Sequence, residues 1–331
     1  MTAVARPALL PLVPLYRLGL GLRELRLRSG LEPVRRLRRP VVSVGSLSAG
    51  GAGKTPMTIA LARALTAHGL RVDVLSRGYG RRGKATVRVN PDGAAEDFGD
   101  EPLLIAREVG VPVYVAAQRY EAGLLAEADA GHVPVIHLLD DGFQHRQLHR
   151  DINILLLDAN DLSAERLLPA GNLREPAAAL HRADIIAIPA KDKAASLESN
   201  LRLRGWQGPV WRVHRRMEAP ECEGRVAAFC GIARPEQFFA GLQASGLMLA
   251  SCVAFPDHHH YTASDLDRVQ AAARAAGAEA IITTEKDRVR LGTLSARLAE
   301  CLPLRTATLR VEIEDEPSAM EWLEDRIKAK E

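Results

Sequence analysis

The stretch Val41-Val-Ser-Val-Gly-Ser-Leu-Ser-Ala-Gly-Gly-Ala-Gly-Lys-Thr55-Pro56 decides the fold of this chain. A short apolar strand leads into a glycine-rich loop that ends in Gly-Lys-Thr, and apolar residues then recur at helical spacing as far as Gly69. A loop of this kind points several backbone N–H groups inward, and the helix that follows adds partial positive charge. The stretch therefore predicts a strand–loop–helix unit that binds the phosphates of a nucleoside triphosphate.

The loop departs from the phosphate-binding pattern G-x-x-x-x-G-K-[ST] at its first position, where Ser48 replaces glycine. In this pattern the lysine, here Lys54, reaches the β- and γ-phosphates, and the hydroxyl of Thr55 ligates Mg²⁺. A nucleoside triphosphate and Mg²⁺ are therefore expected at this site. The predicted nucleotide-binding residues are Ser48, Ala49, Gly50, Gly51, Ala52, Gly53, Lys54 and Thr55.

The composition is ordinary for a soluble α/β protein, with 47% hydrophobic and 26% charged residues. The net charge of +3 is too small to indicate nucleic acid, and no nucleic-acid partner is expected. The four cysteines are scattered, without metal-ligand spacing, which favours reduced thiols in a cytoplasmic protein. A length of 331 residues suggests two domains.

Apolar runs typical of strands alternate with helical stretches over the first 200 residues. This alternation predicts an α/β fold with a mostly parallel sheet flanked by helices, as in P-loop NTPases. The segment Trp206–His214 is interpreted as an extended connector to a second, smaller α/β unit. We therefore expect an N-terminal segment (1–36), a P-loop kinase domain (37–207) and a C-terminal domain (208–331) that completes the cleft.

The first forty residues carry many arginines against only two glutamates. From Leu15 onward leucines share one helical face, which predicts a basic amphipathic helix. Such a helix can lie in a membrane interface and attract anionic lipid. It can equally pack on the core of its own protein. The pattern alone leaves these two alternatives open.

A second phosphate-site element follows the strand Val135–Leu139, which ends in Asp140-Asp141. An acidic residue at this position of a nucleotide-binding sheet holds Mg²⁺ directly or through water. Asp140 and Asp141 are therefore predicted metal ligands.

The stretch Gly78-Tyr-Gly-Arg-Arg-Gly83 matches the dinucleotide fingerprint G-x-G-x-x-G, but that fingerprint must open a helix. The residues that follow, Lys84–Asn90, instead have the pattern of a strand. We interpret the stretch as a glycine-hinged loop that carries basic and aromatic side chains towards an anionic ligand. A basic surface loop is the alternative.

Three consecutive histidines follow Asp257. Neighbouring histidines on one loop rarely point at the same ion, and no partner stands at a structural-zinc spacing, so zinc is not favoured. A histidine that orients a carboxylate base is chemically more plausible, because a phosphoryl acceptor must lose a proton.

Taken together, several segments resemble the tetraacyldisaccharide 4′-kinase family of lipid A biosynthesis, in the family's order and over roughly residues 10 to 291. They are Val44–Pro56, Ser76–Arg81, Gly99–Pro102, Leu139–His145, Leu168–Pro176, Phe229–Ile232, Phe255–His259 and Thr283–Asp287. The chain departs from the family pattern at Ser46, where asparagine is expected, and at Asn172, where proline is expected. It also has Ala233-Arg234 where the family has a Gly-Asn-like pair.

The resemblance implies a bacterial lipid kinase on the cytoplasmic face of the inner membrane. Its substrates would be MgATP and a tetraacylated glucosamine disaccharide 1-phosphate. Asp100 would be the base, paired with His258 or His259, and Lys54 would neutralise the β/γ-phosphates. Further metal and substrate roles would fall to Thr55, Asp140, Asp141 and Glu175 for the metal, and to Arg77, Tyr79, Arg119, Gln144, His145 and Arg174 for the lipid or the transferring phosphoryl group.

A different class of function, a P-loop GTPase switch or metal-insertion protein, would explain Ser48 and the histidines without any lipid. It predicts guanine selectivity, yet the sequence has no N-K-x-D, and Thr284–Asp287 imitates that motif only loosely.

Overall fold

The computed structural model describes residues 6–163, 165–191 and 193–330, so the first five residues of the expected N-terminal segment lie outside it. Its strands are β1 (Val41–Ser46), β2 (Val72–Ser76), β3 (Val87–Arg88), β4 (Val113–Val115), β5 (Ile136–Leu139), β6 (Ile152–Leu156), β7 (Ile185–Pro189), β8 (Val210–Glu218), β9 (Arg225–Cys230), β10 (Met248–Ala254), β11 (Ala280–Thr284) and β12 (Leu304–Ile313).

The helices lie between and around these strands. They are α1 (Val13–Arg28), α2 (Lys54–Ala67), α3 (Ala95–Phe98), α4 (Asp100–Val109), α5 (Arg119–Ala130), α6 (Ala159–Ser163), α7 (Ala194–Leu203), α8 (Pro235–Ala244), α9 (Ala263–Ala275), α10 (Glu285–Leu291), α11 (Leu294–Ala299) and α12 (Glu316–Lys328). Two 3₁₀ segments, Pro7–Leu12 and Ala177–Arg182, complete the described elements.

The described strands form one 12-stranded sheet in the order β10-β9-β11-β12-β8-β7-β6-β1-β5-β2-β4-β3. Strands β1, β2, β4, β5, β6 and β7 pair in parallel. Their Val-, Ile- and Leu-rich sequences are buried on both faces, as parallel sheets covered by helices require. The predicted α/β, P-loop-type fold is confirmed.

Strand β8 joins the two halves of this sheet. It pairs in parallel with β7, and it pairs antiparallel with the second half of β12. The first half of β12 pairs in parallel with β11. The interpretation of Trp206–His214 as a connector is therefore wrong from Val210 onward, because these residues are extended but lie within the sheet.

The apolar core beside the phosphate-loop helix also draws on the C-terminal part of the chain. Met320 and Leu323 of α12 belong to the same buried cluster as Met57 and Leu61 of α2. Residues from both sides of the expected domain boundary at 207/208 therefore share one core, and that boundary stays a prediction.

Helix α1 presents two different faces. On one face, Val13 and Tyr16 pack against a cluster of buried apolar side chains, and the Tyr16 hydroxyl donates to the carbonyl of Arg174 (2.8 Å). The leucines of the opposite face are exposed: Leu15, Leu18, Leu22 and Leu25. In the described part of the chain, no helix has the length and apolar character needed to cross a bilayer.

Candidate active site

The carboxyl ends of the parallel strands face a cleft of about 2130 Å³. The loops after β1, β2, β5 and β6 line it from one side, and the loops after β9, β10 and β11 line it from the other. Ligands of open α/β sheets bind at this edge. The cleft brings together most of the residues that the sequence singles out, although they are far apart along the chain.

The phosphate loop occupies the floor of this cleft. Gly50, Gly51 and Gly53 have φ values of +70°, +63° and +81°, which L side chains rarely adopt. Ala52, Lys54 and Thr55 also line the cleft. Helix α2 begins at Lys54, so its N-terminal N–H groups point towards the space above the loop. The predicted phosphate-binding geometry is thus present in the backbone.

The beginning of the loop is fixed to its neighbours. The Ser48 hydroxyl donates to Asp161 (3.4 Å), and the Ala49 N–H donates to the Asn172 carbonyl (2.8 Å). Both residues of the predicted nucleotide site therefore contact protein here, and neither is among those lining the cleft. Ser46, at the position where asparagine was expected, donates to the Ser48 carbonyl (2.8 Å) and stabilises the turn.

The Lys54 side chain lies above the loop and close to the acidic pair. Its Nζ is 3.6 Å from Asp141 Oδ1 and 3.5 Å from the Ser46 hydroxyl. Burial opposes ionisation of Asp141, but Lys54 and Arg174 hold the pKa of this carboxyl below its usual value. The lysine is therefore positioned with an ionised carboxylate beside the phosphate-binding loop.

Asp140 is in a different electrostatic state from its neighbour. It is buried and accepts a hydrogen bond from Thr58 (3.1 Å). Burial, with the carboxylates of Glu101 and Asp141, raises the pKa of Asp140 to about 7. A cation would relieve this repulsion between carboxylates.

The donor set fits Mg²⁺ held together with a nucleotide. Mg²⁺ is usually bound by one or two carboxylates plus phosphate oxygens and waters, and Thr55, Asp140 and Asp141 all line the cleft. Glu175 is not gathered with them: its carboxylate is paired with Arg182 (2.6 Å), and no three acidic, histidine or cysteine side chains of the described residues are placed to hold a metal together. In this structure Arg182 of the following 3₁₀ segment binds the Glu175 carboxylate, and the expected metal role of Glu175 stays a prediction.

Asp100 and His258 meet across the cleft. Asp100 begins α4 directly after Gly99, where an added Cβ would lie 2.9 Å from the Tyr79 carbonyl. Its Oδ2 is 3.0 Å from His258 Nδ1 and 2.6 Å from Arg290 Nε. Burial would raise the pKa of Asp100, but His258 and Arg290 hold it well below its usual value.

His258 reaches the cleft, whereas Asp100 lies behind it. The hydrogen bond to Asp100 raises the pKa of His258, and Tyr79 packs edge-on against the imidazole at 5.1 Å. The backbone of His258 has a φ of +56°, and the side chain of the neighbouring His259 points elsewhere. His259 stacks on Phe255 at 4.7 Å and contacts Asp265 of the α9 cap at 3.1 Å. Of the two open alternatives, only His258 contacts Asp100.

A cationic wall faces the acidic pair. Arg77 follows β2, and Arg119 begins α5; both line the cleft. Arg119 is buried, and its burial with Arg77 nearby lowers its pKa to about 10. Burial and Arg119 likewise lower the pKa of His145 to about 3, so this imidazole is neutral at physiological pH. The wall offers guanidinium donors beside a neutral ring.

Arg174 and Gln144 form hydrogen bonds around Asp141 and the phosphate loop. Arg174 Nη1 lies 2.9 Å from both carboxylate oxygens of Asp141 and donates to Gln144 Oε1 (3.1 Å). The amide of Gln144 donates to the Ser46 carbonyl (3.0 Å). These two predicted substrate residues therefore support the phosphate loop and Asp141 in this structure.

Comparison with known proteins gives a consistent result. A family model described as tetraacyldisaccharide-1-P 4′-kinase matches residues 5–328. The chain belongs to the tetraacyldisaccharide-1-P 4′-kinase family. It is 41% identical over 321 residues to a tetraacyldisaccharide 4′-kinase of Koribacter versatilis (strain Ellin345), covering 94% of this chain and 96% of that protein. It is 39% identical over 344 residues to the Geobacter sulfurreducens protein of the same name, covering 95% and 91%.

A solved structure agrees with this family membership. The crystal structure of the "apo" form of LpxK from Aquifex aeolicus in complex with ATP matches with a TM-score of 0.73 and 32% identity, covering 97% of this chain and 98% of that one. The family resemblance and the kinase class expected from the sequence are confirmed. The GTPase-switch and metal-insertion alternative is not retained for a member of the tetraacyldisaccharide-1-P 4′-kinase family.

Sequence reasoning missed several residues of this family member's site. Arg290, in the segment after Thr283–Asp287, contacts Asp100, and Lys286 contacts Glu101. Arg215 of β8 and Arg234 before α8 lie against the phosphate loop. For Lys286 a signal was its place in the segment Thr283–Asp287, and for Arg234 it was the pair Ala233-Arg234, which departs from the expected family pattern.

Proposed function

We propose that this chain transfers the γ-phosphoryl group of ATP to the 4′-hydroxyl of a tetraacylated glucosamine disaccharide 1-phosphate, giving ADP and the bis-phosphorylated, lipid IVA-type product of lipid A biosynthesis. The observation that carries the proposal is the placement of the phosphate loop and the Asp100–His258 pair on opposite sides of one cleft. An acceptor hydroxyl bound between the γ-phosphate of a nucleotide on the loop and the Asp100–His258 pair would then contact both the phosphorus and the base.

In this mechanism the 4′-oxygen attacks the γ-phosphorus while the bond to the β–γ bridging oxygen breaks. The proton of the hydroxyl passes to His258, whose imidazole is held by the ionised Asp100. Lys54 and the N–H groups of the phosphate loop stabilise charge on the phosphates, and the cationic wall of Arg77 and Arg119 faces the anionic lipid. Mg²⁺, held by Thr55, Asp140 and Asp141, would neutralise charge on the phosphate oxygens.

The deciding experiment uses purified full-length chain in detergent with γ-labelled ATP, Mg²⁺ and tetraacyldisaccharide 1-phosphate. Label should appear in the lipid and only when the acceptor is present. A glucosamine disaccharide 1-phosphate without acyl chains serves as a matched acceptor that tests the lipid requirement. ATP binding or hydrolysis without any labelled lipid would refute the proposed acceptor.

Dependence on Mg²⁺ should vary with pH. Because the metal binds the ionised form of Asp140, protons compete with it below the raised pKa of about 7. We expect the apparent Mg²⁺ affinity to fall about tenfold per pH unit below pH 7 and to level off above it. The measurement is a Mg²⁺ titration of nucleotide binding at pH 6, 7 and 8. In Asp140→Asn the nucleotide phosphates still titrate, but the carboxyl that competes for protons is gone. If the Mg²⁺ affinity of this variant depended on pH as steeply as that of the wild type, Asp140 would not be the titrating metal ligand.

The membrane surface is the proposed location, on the cytoplasmic face of the inner membrane. A four-chain lipid does not leave a bilayer readily, and α1 carries an outward row of exposed leucines beside arginines. Its inner face meanwhile contacts the site, since Tyr16 donates to the Arg174 carbonyl. The helix would thus place the cleft next to the bilayer.

Replacing Leu15 and Leu22 by glutamate should lower binding to vesicles of mixed zwitterionic and anionic lipid at least tenfold. Each leucine is more than half exposed (66% and 51%), and burying such a side chain contributes about 1.5–3 kcal/mol. Co-sedimentation with vesicles measures the effect. Leu203→Glu, at an 87% exposed position on α7, is the matched control and should bind as the wild type does. Equal binding by the double variant would place the contact surface elsewhere.

A further inference from the structure

The phosphate loop is contacted from the other part of the chain by two arginines. Arg215 lies on β8, and Arg234 stands immediately before α8. A Cβ built on Gly51 would lie 2.7 Å from Arg234 Nε and 2.8 Å from its Cδ. A Cβ built on Gly53 would lie 3.2 Å from the Arg215 guanidinium. Glycine at these two positions therefore admits both arginine side chains against the loop backbone.

The two guanidinium groups differ in what they already bind. Arg215 is partly buried and donates to the carbonyl of Ala52 at the centre of the loop. The Arg234 side chain makes no hydrogen bond within the described part of the chain, and its Nη1 forms a long ion pair with Asp158 (3.8 Å). Its side chain is 20% exposed and lines the cleft. Arg234 thus keeps its donors available while its stem is held against Gly51.

Such a placement matters for phosphoryl transfer because the transition state spreads negative charge over the transferring group. Lys54, the loop N–H groups and a metal supply part of the balancing charge. In several nucleotide-hydrolysing enzymes an additional arginine, supplied by the same chain or a partner, adds about 10³–10⁵-fold to the rate. Guanidinium is well suited to this task, since its planar donors match phosphate oxygens and it keeps its proton.

We propose that Arg234 is a catalytic residue of this chain, an arginine finger supplied in cis that donates to the transferring phosphoryl group of a nucleotide on the loop. Arg215 is a positioning residue that holds the Ala52 carbonyl. This inference rests on the proposed function. Arg234 keeps all its protons throughout: the acceptor oxygen forms the new bond to phosphorus, the β–γ bridge breaks, and the acceptor's proton leaves through His258. Arg234 belongs to the pair Ala233-Arg234, which departs from the Gly-Asn-like pair that the family resemblance leads us to expect.

The test compares Arg234→Met, Arg234→Asn and Arg234→Lys. Methionine keeps an apolar stem against Gly51 and removes only the charged end, while asparagine restores the family's residue type. We expect both to lower kcat for lipid phosphorylation at saturating ATP at least 30-fold, with the Kd for ATP changed less than threefold. Binding of ADP with aluminium fluoride, a mimic of the transferring phosphoryl group, should weaken by a factor similar to the loss in kcat. Lysine should restore part of the rate.

Arg212→Asn is the matched control. This arginine lies on the same strand as Arg215 but pairs with Glu198 at 3.2 Å, and its removal should leave kcat unchanged. Thermal denaturation verifies that each variant is folded, and Arg234→Lys keeps the test valid if the neutral variants do not fold.

An unchanged kcat in Arg234→Met would overturn the inference, whether or not ATP binding weakens, because the arginine would then act only in the ground state or in packing. Equal loss of kcat in Arg212→Asn would overturn it as well, since the effect would not be specific. These outcomes require active wild-type enzyme. Failure of the wild type to label the lipid would instead refute the proposed function.

Discussion

Replacing Asp100 with asparagine is expected to lower kcat for lipid phosphorylation by about 10²–10⁴-fold, the range that positioned acid–base groups contribute. The ionised carboxylate holds the His258 imidazole, at 3.0 Å, in the orientation that accepts the proton of the acceptor hydroxyl. The Kd for ATP should change less than threefold, because Asp100 lies behind the cleft and away from the phosphate loop. Steady-state kinetics and equilibrium nucleotide binding separate the two effects.

This substitution also disturbs a buried ion pair. Asp100 and Arg290 are only 7% and 6% exposed, and breaking such a pair commonly costs about 3–5 kcal/mol. Arg290 keeps Asp287 as a partner at 3.0 Å, which limits the loss. His258→Asn is therefore the matched variant, since it leaves the Asp100–Arg290 pair intact. It should lose a similar factor in kcat with a smaller change in Tm.

The double variant Asp100→Asn/His258→Asn should have a kcat no lower than that of the worse single variant, because residues that act as a unit lose their function together. Normal kcat in a folded Asp100→Asn enzyme would remove the pair from the reaction.

The pH profile gives an independent readout. Asp100 raises the pKa of His258, and neutral imidazole is the proton acceptor, so the rate should rise with pH through a value above the usual 6.5. In Asp100→Asn the cause of the raised pKa is gone and Arg290 opposes protonation of the ring. The residual activity should therefore reach its plateau at lower pH than in the wild type. A profile that does not move would indicate that another group titrates.

The phosphate loop was predictable from sequence because its geometry is local. A strand, positive-φ glycines at 50, 51 and 53, and a helix beginning at Lys54 follow one another along the chain, and the backbone itself forms the site. The acidic pair after β5 was predictable for a similar reason, since parallel strands end at the same edge of the sheet. Helix and strand bounds in these regions differ from expectation by only a few residues.

The contacts between distant segments could not be predicted from the local pattern. Arg290 is 190 residues from the aspartate that it binds, and Arg174 is 33 residues from Asp141. The sequence has three consecutive histidines and does not distinguish His258, which contacts Asp100, from His259, which contacts Asp265. Strand β8 was missed because alternating charged residues on a partly exposed strand resemble a polar connector.

Replacing Lys54 with alanine should lower kcat for lipid phosphorylation about 10³-fold or more, the upper end of what one charge-stabilising donor contributes. Its ammonium lies at the phosphate loop and 3.6 Å from Asp141, and its side chain is only 11% exposed. Removing it leaves Arg174 as the partner of that carboxylate, so the fold should persist while charge on the β/γ-phosphates loses its counterpart. The Kd for ATP should also rise, because the lysine acts on ground-state phosphates as well.

Lys328→Ala, at a 67% exposed position on α12, removes an equal charge far from the cleft and is expected to behave as the wild type does. Radiolabel transfer to lipid and thermal denaturation on all three proteins provide the comparison. Near-normal transfer by a folded Lys54→Ala enzyme would mean that the loop does not bind the transferred phosphate. A weaker affinity for ATP with an unchanged kcat would instead mean that Lys54 only helps to bind the nucleotide. A residue that contributes to kcat must bind the transition state more strongly than the ground state.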